Sequence, residues 1–151
     1  MIEWYSDKKL SIFFDNIPIL GVRYYIPTMS PEERQSIEKY PFICKTSLDV
    51  ILYDKVKDKT YNFTIPKGYC YDGASIPRLF WRIIGANTDN RFLVAALVHD
   101  VLCENHHYVD SDRAFSTNIF NALLSASGVN SFKRFLMKNS VASFQTLFCR
   151  W

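Results

Sequence analysis

The chain has 151 residues, of which 48% are hydrophobic, 22% are charged and 16% are aromatic, and its formal net charge is +3. This composition excludes an intrinsically disordered chain, because the apolar side chains can bury a core without disulfides or metals. The small positive charge does not indicate nucleic-acid binding, and we do not expect nucleic acid as a partner. The length predicts a single domain covering residues 1–151.

Short segments rich in Ile, Val, Phe and Tyr predict β-structure in residues 1–66. These predicted strands are Leu10–Phe14, Val22–Ile26, Leu48–Tyr53 and Tyr61–Ile65. The polar segment Asp54–Lys59 separates the last two strands, which predicts a hairpin. Between the second and third strands, Ser30-Pro31-Glu32-Glu33 has the pattern of a capping box with Pro at the first helical position. It predicts a surface helix over Pro31–Lys39.

The hydrophobic pattern changes to a helical period in residues 67–151. The predicted helices are Pro77–Ile84, Asn90–Cys103, Ser111–Ser125 and one from Ser131 to near the C-terminus. Asp89 and Asp110 are the expected N-caps of the second and third of these helices. The sequence therefore predicts an α+β fold, in which a small N-terminal antiparallel β-sheet is followed by a loop and a C-terminal bundle of three to four helices.

Secretion, membrane insertion and a disulfide framework are not indicated. Residues 1–10 lack the basic start and apolar run of a signal peptide, and no stretch approaches the roughly 18 apolar residues of a membrane span. The four cysteines contain no C-x-x-C pair. We therefore expect four free thiols in a reducing compartment.

Two predicted helices carry a histidine and carboxylates that could form one site. His99 lies on the apolar stripe of the Asn90–Cys103 helix, and Asp112 lies at the head of the apolar stripe of the next helix. Because the connection between them is short, we expect Asp112 to reach the His99 ring. Asp112 would then orient His99 as a catalytic base and leave Asp100 to hold a cation. In the alternative interpretation, His99 is a core histidine that Asp112 bonds only to join two helices.

The twelve-residue segment Pro66–Pro77 is long for a strand-to-helix connection, and long ordered loops are often functional. Asp72 and the loop carbonyls offer oxygen ligands of the kind that calcium prefers. The alternative is a rigid structural turn in which Asp72 accepts from the amides of the loop itself. The residues expected to shape this structural loop are Gly68, Gly73, Ser75, Pro77 and Arg78.

Three motifs together resemble a known family. The run G-Y-C-Y-D-G-A-S-I-P-R-L-F-W begins at Gly68, the run V-H-D ends at Asp100, and D-R-A-F begins at Asp112. This combination resembles phage and prophage domain-of-unknown-function family 1353, over roughly Ile65 to Met137. The resemblance implies a viral or prophage origin, with the protein in the virion or the host cytoplasm. It implies no agreed activity.

A more distant similarity concerns the helix pair that carries His99. The pattern of His99-Asp100 followed by Asp112 is similar to secreted phospholipases of the A2 type. That similarity implies that His99 activates water, that Asp100 binds calcium together with the preceding loop, and that Asp112 orients His99. Calcium is accordingly the expected cofactor.

Residues 131–151 form a basic, amphipathic segment with Phe132 and Phe135 near one face. Such a helix can lie on a membrane surface or dock on a partner, or it can pack onto the two preceding helices.

Two functions follow from these observations. The first is a phage-encoded virion or assembly component, in which the His-Asp cluster is structural and other phage structural proteins are the partners. The second is a calcium-assisted hydrolase of a host-envelope ester, similar to phospholipase A2, with His99 activating water.

Overall fold

The computed structural model describes residues 1–72 and 90–148, without the side chains of residues 90, 107 and 143–148. The strands are β1 (Ile2–Ser6), β2 (Leu10–Phe14), β3 (Leu20–Val22), β4 (Phe42–Cys44), β5 (Leu48–Asp54), β6 (Lys59–Ile65) and β7 (Cys70–Tyr71). The helices are α1 (Pro31–Lys39), α2 (Asn90–Glu104), α3 (His106–Val109), α4 (Arg113–Ala126) and α5 (Ser131–Phe148). The antiparallel strands therefore precede the described helices α2 to α5, which confirms the predicted α+β fold.

The larger sheet has four antiparallel strands in the order β1-β2-β5-β6. The predicted hairpin is confirmed, because β5 and β6 pair from Leu48 opposite Ile65 to Asp54 opposite Lys59. At the turn, Asp54 Oδ1 accepts from the Val56 backbone N–H at 3.0 Å, which satisfies a donor that the ladder leaves unpaired. The hairpin turn thus closes through local hydrogen bonds.

The smaller sheet has three strands in the order β3-β4-β7, and the sequence patterns missed two of them. The predicted strand at Val22–Ile26 is wrong, since β3 covers Leu20–Val22. The backbone N–H of Arg23 donates to the Pro41 carbonyl at 2.8 Å, but Pro41 has no N–H to return, so the ladder stops there. The apolar residues that follow are exposed.

The predicted helix start is confirmed for α1, and the predicted N-cap is wrong for α4. Helix α1 begins at Pro31 as predicted, and the Ser30 side chain accepts from the Glu33 N–H at 3.2 Å. Asp110 was predicted to cap the third long helix, and this is wrong. Asp112 is the N-cap of α4, whereas Asp110 has φ +56° and ends the short helix α3 that the sequence patterns missed. The predicted helix at 77–84 and its neighbour Asp89 lie outside the described residues.

The sheet and the helices share one buried core. The Tyr61 ring of β6 stacks on Phe115 of α4 with ring centroids 4.5 Å apart, and α4 packs against α2. Helix α2 in turn contacts β7, which is held at the edge of the smaller sheet by β4. This arrangement places the residue after β7 beside the C-terminal half of α2, where the candidate site lies.

Candidate functional site

Two carboxyl groups meet between β7 and α2. Asp72 directly follows β7, Asp100 lies in the C-terminal half of α2, and their carboxyl groups lie close enough to interact. Two ionised carboxylates only accept, so these groups can form a hydrogen bond to each other only when one of them carries a proton. These are the two residues that the sequence predicted to share a cation, and the structure brings them together. We call them the carboxyl pair.

The carboxyl pair holds its proton to unusually high pH. Asp72 is exposed by surface area, but protein atoms crowd its carboxyl group, and this crowding is the largest cause of its shift in pKa. The hydrogen bond to Asp100 and the charge of Asp100 act in the same direction, and together they raise the pKa of Asp72 to about 8. With a pKa of about 8, Asp72 is largely protonated at neutral pH.

His99 precedes Asp100 on α2, and its side chain is buried. Its side chain is 8% exposed, and Nδ1 is 3.8 Å from Asp100 Oδ1, which is ion-pair distance rather than a hydrogen bond. The Phe120 ring lies 5.2 Å from the imidazole, and Cys103 Sγ is 3.7 Å from each ring nitrogen. The predicted apolar stripe is confirmed, since Phe92, Ala95 and Ala96 are buried on the same helix.

Asp112 does not contact His99, so the expected pairing across the helix interface is not made. Its Oδ1 accepts from the Phe115 backbone N–H at 2.7 Å, and its Oδ2 lies 3.5 Å from Lys57 Nζ. The side chain is 59% exposed. The reason is local, because Asp112 precedes the first residue of α4 and its carboxylate satisfies the free N–H groups of the first turn.

Two tyrosines complete the surroundings of the carboxyl pair, and the sequence patterns missed both. The Tyr69 hydroxyl donates to the Glu104 carboxylate, one helical turn after Asp100. The Tyr71 side chain is fully buried, and its hydroxyl has no hydrogen-bond partner in the described part of the chain. Burial, followed by nearby negative groups that include Asp100, raises the pKa of both tyrosines. Their spacing of two residues at a strand would have placed them on one face.

The structural loop is described only at its start. Gly68 has φ +91°, a conformation that glycine adopts without strain, and its N–H donates to the Cys44 carbonyl at 2.8 Å. This bond anchors the loop to β4. Gly73, Ser75, Pro77 and Arg78 lie outside the described residues, so their predicted roles stay predictions.

A metal site is not assembled by the described residues alone. Within residues 1–72 and 90–148, no group of three or more His, Cys, Asp or Glu side chains is arranged to hold a metal ion. The carboxyl pair offers two carboxylates, which suit a hard cation such as calcium but are fewer than its usual ligand set. The three described cysteines, Cys44, Cys70 and Cys103, form no disulfide. None of the described helices is long and apolar enough to cross a membrane.

Comparisons with known proteins match the segment of the chain that carries the site but assign it no activity. The chain is 35% identical over 80 residues to "Uncharacterized protein y4jT" of Sinorhizobium fredii (strain NBRC 101917 / NGR234), a match that covers 53% of this chain and 23% of that protein. The chain thus matches less than a quarter of that relative's length. No solved structure matches. The family model described as "Protein of unknown function (DUF1353)" matches residues 49–141, which include the carboxyl pair, and the chain belongs to this family.

Proposed function

We propose that the chain is a hydrolase whose acid and base are the carboxyl pair, acting on an ester of the host cell envelope. The observation that carries this proposal is the approach of the Asp72 and Asp100 carboxyl groups between β7 and α2. A protonated carboxyl beside an ionised one is an arrangement that enzymes use to donate and accept protons in one step. The envelope ester follows from the phage resemblance of the sequence.

The two residues can accept and donate the protons that such a reaction transfers. The Asp100 carboxylate accepts a proton from the water that attacks the ester carbonyl. The Asp72 carboxyl donates its proton to the departing alkoxide, so that the ester bond breaks to an acid and an alcohol. The proton on Asp100 then returns to Asp72 across their hydrogen bond. Glycoside hydrolysis fits less well, because its two carboxyl groups stand at least about 5 Å apart.

His99 is a positioning residue in this scheme rather than the base. Its ring lies 3.8 Å from Asp100 and is buried against Phe120, so it cannot reach a substrate from the outside. A protonated imidazole at this distance favours the ionised form of Asp100. Calcium is the alternative occupant, since a cation bound by the carboxyl pair would replace the shared proton.

The test is hydrolysis by the purified chain of phosphatidylglycerol vesicles and of p-nitrophenyl esters. Asp72→Asn and Asp100→Asn should each lower the rate by about 100-fold or more, the range of general acid–base catalysis. Asp112→Asn is the matched control and should leave the rate unchanged. Activity that survives EDTA supports proton transfer by the carboxyl pair without a metal ion. Activity restored only by calcium supports a calcium ion bound by the carboxyl pair. Failure to hydrolyse any of these esters, or equal losses in all three variants, would reject the proposal.

A second function, a virion or assembly component, is favoured by a different surface. Six large apolar side chains between Ile17 and Ile26 are each at least 45% exposed. They are Ile17, Ile19, Val22, Tyr24, Tyr25 and Ile26. A contiguous apolar segment of this kind is typical of a protein–protein interface.

We propose other phage structural proteins, or further copies of this chain in the particle, as the partners of that surface. Ile19→Asp combined with Tyr24→Asp should then abolish incorporation into particles when the variant gene replaces the original in a producing phage. The carboxyl-pair variants should assemble normally. Normal incorporation of the Ile19→Asp/Tyr24→Asp protein would reject this second function.

A further inference from the structure

Charge is distributed unevenly along the chain. All 15 acidic residues lie between Glu3 and Asp112, whereas five of the 18 basic residues come after Asp112. These five are Arg113, Lys133, Arg134, Lys138 and Arg150. Helices α4 and α5 therefore carry formal positive charge only, while the rest of the chain has more acidic than basic residues. Although the net charge of the chain is only +3, helices α4 and α5 form a cationic helix pair.

Two phenylalanines stand on the solvent side of that cationic helix pair. Phe132 is 60% exposed and Phe135 is 63% exposed. Three residues apart on α5, they share one helix face, and the opposite face buries Met137 and Val141 in the core. Burial of rings as large as these would release apolar surface from water, but the described chain leaves them uncovered.

A shallow groove of about 300 Å³ lies between α4 and α5. It is lined by Arg113, Ala114, Thr117, Asn118, Lys138 and Ala142. Because a helix turns 100° per residue, Lys138 and Ala142 lie close to Phe135 around the axis of α5. Both residues line the groove. The cationic side chains of Arg113 and Lys138 therefore lie on the same helix pair as the exposed Phe135 ring. A lipid presents the complementary combination, a negatively charged phosphate next to apolar acyl chains.

We propose that this face of α5, with Phe132 and Phe135 inserted and with Arg113 and Lys138 at the phosphates, docks on an anionic membrane surface. Lipid phosphates supply the negative charge that the cationic helix pair lacks. A second copy of the same face would instead bring like charges together. Since no described helix can span a bilayer, α5 would lie in the interfacial plane. This docking is independent of the hydrolysis proposed above.

The test is cosedimentation of the full chain with vesicles of pure phosphatidylcholine and of phosphatidylcholine containing 30% phosphatidylglycerol. Binding should require the anionic lipid and should weaken at least tenfold in 0.5 M salt, because salt screens the attraction. Phe132→Ala combined with Phe135→Ala should lower binding at least tenfold, and Arg113→Gln combined with Lys138→Gln should do the same. Tyr108→Ala, which removes a ring that is 90% exposed outside α5, should not alter binding.

Circular dichroism and light scattering keep the result interpretable. The double variants should retain the wild-type melting temperature and remain monodisperse, since all four side chains lie at the surface of the helix pair. Equal binding to both vesicle types, no binding to either, or unchanged binding by the phenylalanine variant would overturn the proposal. A phenylalanine variant that loses only self-association would overturn it in favour of a second copy as the partner.

Discussion

Two regions of this molecule hold aspartates in opposite ways. In the carboxyl pair, the acidic groups of Asp72 and Asp100 face each other, and His99 Nδ1 lies 3.8 Å from Asp100 Oδ1. At the hairpin turn, Asp110 lies 2.7 Å from Lys59 and Asp112 lies 3.5 Å from Lys57. We call Asp110 and Asp112 the lysine-paired carboxylates.

The difference between the two regions separates structural from chemical roles. Each lysine-paired carboxylate has a cation beside it and lies in water, so its negative charge costs little. The carboxyl pair instead places two acidic groups together and shares a proton, which raises the free energy of the ionised state. A fold gains no stability at neutral pH from such a pair. Groups arranged at that cost are typical of a functional site.

The largest expected effect is the loss of stability on replacing His99. His99→Ala removes a buried ring that packs on Phe120 and should cost about 3 kcal/mol, or roughly 6 to 12 °C in Tm. Urea and thermal unfolding measure this loss, and Tyr108→Ala on the surface should stay within about 0.5 kcal/mol of wild type.

A double-mutant cycle tests the contact that the sequence predicted. Since Asp112 and His99 do not touch, the losses in His99→Ala and Asp112→Ala should add to within about 0.5 kcal/mol. A coupling energy above about 1 kcal/mol would show that the two side chains meet in solution, and the distinction between the two regions would then fail.

The next effect concerns Asp112 as the N-cap of α4. Asp112→Ala should lower the free energy of unfolding by about 1 kcal/mol, because the Phe115 N–H loses its acceptor. Asp112→Ser keeps a capping oxygen and should recover most of the loss, although it cannot pair with Lys57. If Asp112→Ser were as unstable as Asp112→Ala, the pairing with Lys57 rather than capping would be the source of stability.

Local patterns predicted the elements that depend on neighbours in sequence. The capping box at Ser30 and the hairpin of β5 and β6 involve residues that contact partners close along the chain. The same patterns missed β4 and β7, because a strand of two or three residues exists only through pairing with distant segments. They also chose Asp110 over Asp112 as a cap, since both residues are good caps and only the chain path decides between them.

The candidate site was predictable to a similar extent. Asp72 and Asp100 were expected to approach each other because a loop and a helix motif both offered oxygen ligands. The shared proton was not predictable, since it depends on how far the two carboxyl groups are removed from water. Tyr69 and Tyr71 were missed because a tyrosine beside a loop carries no motif of its own. Their roles follow only from the placement of β7 against α2.

The third prediction is the pH dependence of the carboxyl pair. The folded pKa of Asp72, about 8, lies above the ordinary value of 3.8, so the native state binds the extra proton. Its stabilising contribution is therefore complete below about pH 4 and is lost as the pH rises through 8. Asp72→Asn should remove this slope and gain about 1 kcal/mol at pH 8.5, less than the full shift implies because solvent screens the group.

Thermal unfolding of wild type and Asp72→Asn at pH 5, 7 and 8.5 measures that slope. The two curves should diverge with rising pH, and Asp49→Asn, an exposed aspartate on β5, is the matched control. Parallel curves would mean that Asp72 ionises normally, and the acid role assigned to it would lose its basis.

The smallest effect comes from Asp110 and has the opposite sign. The hydrogen bond from Lys59, and the lysine charge, lower the pKa of Asp110 below 3.8. Its contribution is present above that pH and is lost as the pH falls through the lowered value. Asp110→Asn tolerates the left-handed φ of +56° and removes only the charge, so Tm should fall by less than about 3 °C at low salt.

Salt then distinguishes the two regions in a single experiment. The difference between wild type and Asp110→Asn should vanish in 0.5 M NaCl, because an ion pair in which Asp110 is 87% exposed is screened by solvent ions. The difference between wild type and Asp72→Asn at pH 8.5 should largely persist, since crowding by protein atoms is the first cause of the raised Asp72 pKa and salt does not screen it. If both differences disappeared together, the carboxyl pair would be an exposed charge cluster like its counterpart at the hairpin, with no reason to assign it chemistry.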